Sequence, residues 1–467
     1  MWGVSMKRIV LALLSALSST AWAQADDALL RATYRELVEI NTTPSVGDCT
    51  VAVQAMAARL RAGGFRDDEL QIVVPPGGDR HGNLVARLKG TGAQRPLLLL
   101  AHVDVVEARR EDWLRDPFKL VEEGGYFYGR GVSDDKSMAA IYVANMIRAR
   151  KEGLKPARDL ILALTCGEEV TPGPFNGVEY LLKHHRPLID AELALNEGGG
   201  GALTAEGQPL FHRVQAGEKV FQSFQFEVVN KGGHSSVPEP DNAIYRLADA
   251  LGRLSRFSFP FRLSPVTRAY FEHLSRTEKP EVAADIRAIL RDPPDPDAQA
   301  RLWQFSAAYN ASVRTTCVAT QLDAGHAINA LPQRAQANVN CRILPGERVD
   351  EVQATLERVV ADPRVKITPI GQATEAPLPP MKESLLDAIK AVNEEIWPGV
   401  PVVLGLTAGA SDGVFLNKAG IWTYGVAGLF HPPGGSNAHG LNERLRVQSL
   451  FDAAEFQYRL VRRLAWP

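Results

Sequence analysis

Cysteine is scarce in this chain. Four occur among 467 residues (Cys49, Cys166, Cys317, Cys341), and no two stand in a C-x-x-C pair, which excludes a thiolate zinc finger and a disulfide scaffold. A surplus of either charge is also missing. The 52 Lys and Arg against 54 Asp and Glu leave a net charge of −2, so nothing favours binding to nucleic acid. There is no internal repeat or low-complexity tract, and the 39 glycines and 30 prolines are spread along the chain, against collagen and disorder alike. Long apolar runs are absent too. The strongest, IVLALLSAL at 9–17, is far shorter than the roughly 20 residues that span a bilayer. Lys7 and Arg8 precede it, and the small residues Ala21 and Ala23 follow. That pattern reads as a signal peptide over 1–23, cleaved after Ala23. The expectation is an exported chain, periplasmic or secreted, with no membrane span after cleavage. An oxidising compartment would allow one bridge, Cys317 with Cys341, since RTTCVAT and ANVNCRI look like paired strands. Two free buried thiols are the equal alternative.

What is present is ordinary globular composition, 45% hydrophobic and 23% charged, long enough for two or three domains. Helical stretches at about 26–40 and 50–63 precede extended stretches at about 69–74 and 82–89. The apolar runs PLLLLAHVDVV, DLILALTC and AELALNE read as buried strands. A helix over 134–150 carries Met138, Ile141, Tyr142 and Met146 on one face, and another follows near 175–184. This alternation predicts an α/β fold with a mostly parallel sheet covered by helices. Near Gly217 the grammar changes to strand, helix, strand, strand, helix, strand, a ferredoxin-like α+β module. Helical, Pro-rich sequence interrupts it at about 258–312. A linker at 374–380, a helix at 382–396, a short strand at 401–405 and a last helix from about 443 complete the pattern. The expected domains are 24–216 with 375–467, and an inserted 217–374.

The chemistry gathers where buried strands end. His102 ends PLLLLA, Glu168 and Glu169 follow DLILALTC, and Glu197 ends AELALN; in open α/β sheets these ends line the functional crevice. Asp134 and Asp135 face the same edge at a helix start. Singly, each has a bland reading: a surface histidine, a solvated Glu-Glu turn, an N-cap at Asp134. Together, beside long apolar runs, such groups are costly unless paired or bound to metal. Imidazole and carboxylates without thiolate suit catalytic zinc or a related divalent ion. His102 and Asp104 are two apart on a strand end, so Asp104 can hold the second ring nitrogen of His102.

The runs AHVDVV, YGRGVSDDK, CGEE, NEGGG and AHGLNERL, in that order, closely resemble the M20 family of di-zinc metallopeptidases. KGGHSSVPEPDNAI and INALPQRAQANVNCRILPGE resemble that family's inserted dimerisation, or lid, domain. ASVRTTCVAT and the long insertion look most like the carboxypeptidase S subgroup, which includes N-acyl-amino-acid hydrolases. The resemblance implies two zinc ions per subunit, with cobalt or manganese as substitutes, in a homodimer. His102 and Glu197 would bind one ion, Glu169 and His439 the other, and Asp134 would bridge both. Glu168 would be the general base and acid. His234 of the partner subunit would stabilise the oxyanion, and Arg342 with Ser411 and Asp412 would meet the substrate's carboxylate. The substrate implied is a peptide or N-acyl amino acid. Ser137 departs from the family, where many members have Gly after DDK; no ligand is put in doubt.

Two rivals remain. GASDG at 409–413 fits the nucleophile elbow G-x-S-x-G, with Ser411 as nucleophile, but Asp452 has no following His, so the order of a serine hydrolase fails. An exported solute-binding protein is also two-lobed α/β, yet has no use for five metal-type groups and a free Glu.

Overall fold

The computed structural model describes residues 25–170, 173–407 and 409–466; the expected signal peptide lies outside them. The chain divides into two compact units. One comprises the chain up to Arg213 with Met381–Val402 and Ile421–Pro467, the other Val214–Pro380 with Val403–Gly420. Residues 403–420, read with the first domain in the sequence, group with the second unit. The reason is local: the strand Val402–Thr407 pairs with Pro209–Glu218, whose last residues already belong to that unit.

Most strands of a large sheet, ten-stranded among the described residues, belong to the first unit. At the centre of that sheet Leu160–Thr165, Leu97–His102, Leu193–Asn196 and Trp422–Gly425 run parallel in that order. Leu97–His102 and Leu160–Thr165 are buried at every residue, which is why their sequences show no polar alternation. Asn83–Leu88 and Leu70–Val73 extend one edge antiparallel. The helix Lys136–Lys151 lays Met138, Ile141, Tyr142 and Met146 into the core, all buried. Each such side chain contributes about 1.5–3 kcal/mol of burial. The fold class is as expected: α/β, with a mostly parallel central sheet.

In the second unit a four-stranded antiparallel sheet has the order Thr316–Ala324, Arg334–Ile343, Val220–Val229, Lys366–Ile370. Helices Ala243–Arg256 and Val349–Val360 bury Leu247, Leu254, Val352 and Leu356 in one core with Phe224, Phe226 and Val339. Chain order and sheet order together make the ferredoxin-like βαββαβ module. The interruption folds as four helices within 265–313 around a cluster of its own, including Phe271, Ile286 and Leu302. Buried Lys219 ties it to the sheet, donating from Nζ to Ala311 O, Arg314 O and Thr316 Oγ1.

Three local readings need correction. The last helix begins at Val447, because Arg444–Arg446 is a strand paired with Tyr126–Tyr128. Trp422–Gly425 is a central strand where no strand was expected. All four cysteines are bonded, Cys49 to Cys166 as well as Cys317 to Cys341. The first pair lies 117 residues apart in sequence, so only the fold reveals it.

Candidate metal centre

The parallel strands deliver their ligand-type side chains to one edge. His102 is the last residue of its strand and Glu197 follows Leu193–Asn196. Glu168 and Glu169 leave the end of Leu160–Thr165 through Cys166 and Gly167. Gly167 has φ +92°, and a Cβ there would lie 2.7 Å from Phe175 O, so the turn that aims the two glutamates requires glycine. The Cys49–Cys166 disulfide and a bond from Cys166 N to Asn83 Oδ1 (3.0 Å) fix the residue before it.

Asp134 is not an N-cap. The cap position of Lys136–Lys151 is Asp135, which makes no capping side-chain bond. The Asp134 carboxylate stands between two imidazoles instead: Oδ1 is 3.1 Å from His102 Nε2 and Oδ2 is 3.1 Å from His439 Nε2. On the His102 side, Glu197 Oε2 lies 3.7 Å from Nε2. On the His439 side, Glu169 Oε2 lies 3.0 Å away. Glu168 joins His102 and Glu197 in one cluster, its ligand atom within 4.8 Å of theirs. Asp104 sits behind. Its backbone oxygen is 3.0 Å and its Oδ1 3.6 Å from His102 Nδ1, while Oδ2 accepts from Glu169 N at 3.0 Å. His439 has φ +61°, a left-handed conformation costing about 1–2 kcal/mol for a residue with a Cβ; strain of this kind gathers at functional sites.

Charge explains the cluster's character. Burial alone would lower the pKa of His102, but Glu197, Asp104 and Asp134 outweigh it and hold the imidazole well above its ordinary value. Hydrogen bonds donated to Asp134 and Glu169 raise His439 to about 10. Burial opposes ionisation of Asp134, yet the two imidazoles hold it far below the usual carboxylate range. Burial leaves Glu197 raised despite His102. Two imidazoles thus face four carboxylates (Asp134, Glu168, Glu169, Glu197), an acidic excess that a divalent cation satisfies. The donors are nitrogen and oxygen only, which fits zinc, cobalt or manganese. A second group with ligand-like spacing, Cys49, Asp104 and Cys166, does not qualify, because its sulfurs are bonded to each other.

His102, Asp104, Asp134, Glu168, Glu169, Glu197 and His439 all belong to the first unit, where the fold gathers them. The remaining candidates belong to the second. His234 is exposed on a two-residue strand, and its Nδ1 accepts from Ser236 N at 3.2 Å. Arg342 lies on Arg334–Ile343 with its guanidinium 4.7 Å from the Phe221 ring centre. Ser411 and Asp412 precede the helix Gly413–Lys418, Ser411 Oγ accepting from Gly413 N. Sequence reasoning missed Arg130 and Glu443. Both stand inside the quoted runs YGRGVSDDK and AHGLNERL, but nothing in either run shows that they form a buried ion pair at 2.8 Å.

The model of peptidase family M20/M25/M40 matches residues 98–463. The N-fatty-acyl-amino acid synthase/hydrolase PM20D1 of Xenopus tropicalis is 30% identical over 375 residues, 78% of this chain and 72% of that protein. A probable carboxypeptidase S-like 2 of Dictyostelium discoideum is 26% identical, covering 81% of this chain and 74% of its own length. Among solved structures, the M20 family metallo-carboxypeptidase Sso-CP2 of Sulfolobus solfataricus superposes with a TM-score of 0.68 at 18% identity, covering 92% of this chain and 98% of that one.

Proposed function

Because the chain belongs to the M20/M25/M40 peptidase family, and so is a hydrolase of the metallopeptidase type, we propose that it cleaves amide bonds next to a residue with a free carboxylate. The substrates are N-acyl amino acids or peptides, and two zinc ions are the resident metals. The observation that carries this reading is the Asp134 carboxylate, which presents one oxygen to each imidazole. His102 and Glu197 would hold one ion and His439 and Glu169 the other, with Asp134 placed to serve both. Names of relatives support the substrate class: an N-fatty-acyl-amino acid synthase/hydrolase and a carboxypeptidase S-like protein.

Bound cations supply Lewis acidity, polarising the scissile carbonyl and making water acidic enough to attack. The rest falls to this chain. Glu168 takes a proton from the attacking water as oxygen bonds to the carbonyl carbon, and returns it to the amide nitrogen as the C–N bond breaks. Charge growing on the carbonyl oxygen is met by the imidazole N–H of the partner subunit's His234 in a homodimer. Arg342 grips the free carboxylate as a fork, with Ser411 and Asp412 nearby in the substrate loop. Asp104 fixes the orientation of His102. The second unit serves as the lid, and the signal peptide exports the enzyme.

The test is hydrolysis of N-acyl amino acids and dipeptides, alongside their C-terminal amides, with and without a chelator. Expected is turnover of the free acids, its loss on chelation, and its return with zinc. Turnover indifferent to the chelator would favour Ser411 and end the metal reading; binding without turnover would indicate a solute-binding protein.

A further inference from the structure

We infer that the Arg130–Glu443 ion pair is the positioning element of the metal centre, setting Asp134 and the His439 loop from one buried point. Glu443 is fully buried and Arg130 is 2% exposed. The Glu443 carboxylate accepts four hydrogen bonds. Oε1 takes Ser133 N at 2.8 Å and Asp134 N at 3.1 Å; Oε2 takes Gly131 N at 3.0 Å and Arg130 Nη1 at 2.8 Å. Arg130 uses its other arm on the opposite loop: Nη2 donates to Gly440 O at 3.0 Å, next to His439. Gly129 N closes the link by donating to Glu443 O at 3.2 Å. The guanidinium carbon lies over Trp113, 5.0 Å from the ring centre.

The targets of these bonds distinguish positioning from plain stability. A buried ion pair contributes little net stability, and an apolar pair of similar volume commonly does as well or better. What an apolar pair cannot do is direct three N–H groups of one loop (Gly131, Ser133 and Asp134) onto one carboxylate. Asp134 has no capping or helical bond to hold it, and His439 sits at a strained φ. Two ligand-bearing loops without regular structure are therefore fixed by this pair, which joins positions 313 residues apart. Partners behind metal ligands are typically worth 10–100-fold in metal affinity.

The inference rests on Asp134 and His439 being ligands, so the experiment includes a control for that reading. Full-length Glu443→Gln, Arg130→Lys and Asp134→Asn are stripped of metal, and zinc affinity is measured by competition with a chromophoric chelator. The melting temperature of each metal-free protein is recorded alongside. Glu443→Gln replaces one accepting oxygen with an NH2 that faces N–H donors, and both zinc ions should bind 10–100-fold more weakly. Arg130→Lys keeps the charge but loses the fork to Gly440 O, and should weaken chiefly one ion, the His439-side one. A purely structural pair would lower the metal-free melting temperature and leave the zinc affinity of the folded chain at the parental value; that result overturns the inference. Should Glu443→Gln not fold, Arg130→Lys decides alone. If Asp134→Asn keeps both ions at parental affinity, the ligand reading itself has failed.

Discussion

Glu168 and Glu169 are sequence neighbours with different surroundings, and their substitutions should separate. Glu169 is engaged twice, its N–H on Asp104 and its Oε2 on His439. Glu169→Gln should cost one zinc per chain, since a neutral amide is a poor ligand for a divalent cation. Glu168→Gln should keep its metal and fold but lose about 10²–10⁴ in turnover, the usual worth of general acid–base catalysis; metal analysis and rate assays on purified variants check both. His212 offers a test unrelated to catalysis. It is fully buried among Trp397, Phe430 and Phe456, and burial pushes its pKa down to about 4 from 6.5. Between those values the unfolded chain binds the extra proton and the folded chain does not, so stability rises with pH across the window. Acidifying from 6.5 to 4 should remove on the order of 3 kcal/mol through this group. Denaturant titrations should show a flatter pH profile for His212→Phe. At this scale legibility followed the backbone. His102, Glu168, Glu169 and Glu197 could be read because each ends an apolar run. His439, in an irregular loop at positive φ, was accessible only through the family resemblance.

Among elements, the buried parallel strands were the easiest to read, since burial on both faces writes an unbroken apolar run. Trp422–Gly425 escaped because it is four residues long and mixes Trp, Thr and Tyr without such a run. Arg444–Arg446 was absorbed into the following helix because a three-residue strand has no period of its own. The disulfides act at the level of elements too. Cys317 and Cys341 are register partners on adjacent strands, whereas Cys49–Cys166 ties the helix Cys49–Ala62 to the strand end that bears the glutamates. The loops closed span 117 and 24 residues, and on the chain-entropy model the longer contributes about 1.4 kcal/mol more. Cys49→Ser/Cys166→Ser should therefore melt below Cys317→Ser/Cys341→Ser. Equal melting temperatures would mean that residual order in the unfolded chain governs both.

For the whole molecule, the alternation of strands and helices, and the switch of grammar near Gly217, make the α/β class and the ferredoxin-like module legible in the sequence. The exchange of 403–420 into the second unit is not, because pairing between distant strands leaves no local mark. The strand Thr316–Ala324 lies at the edge of the second unit's sheet with Val318 and Leu322 exposed, and such an edge invites pairing with another chain. If a homodimer forms with His234 acting in trans, mixing inactive His234→Ala and His439→Ala chains should restore measurable turnover, because one hybrid site is intact. Absence of recovery after confirmed subunit exchange would remove the in-trans role. The bonding pattern of the four cysteines has one more consequence, in time rather than space. Four cysteines can pair in three ways, and here the first joins the second and the third joins the fourth. If the chain is exported and oxidised from its N-terminus as it emerges, each cysteine meets its correct partner in order, and refolding of the reduced chain with an oxidant alone should then recover the native pairing without a disulfide isomerase.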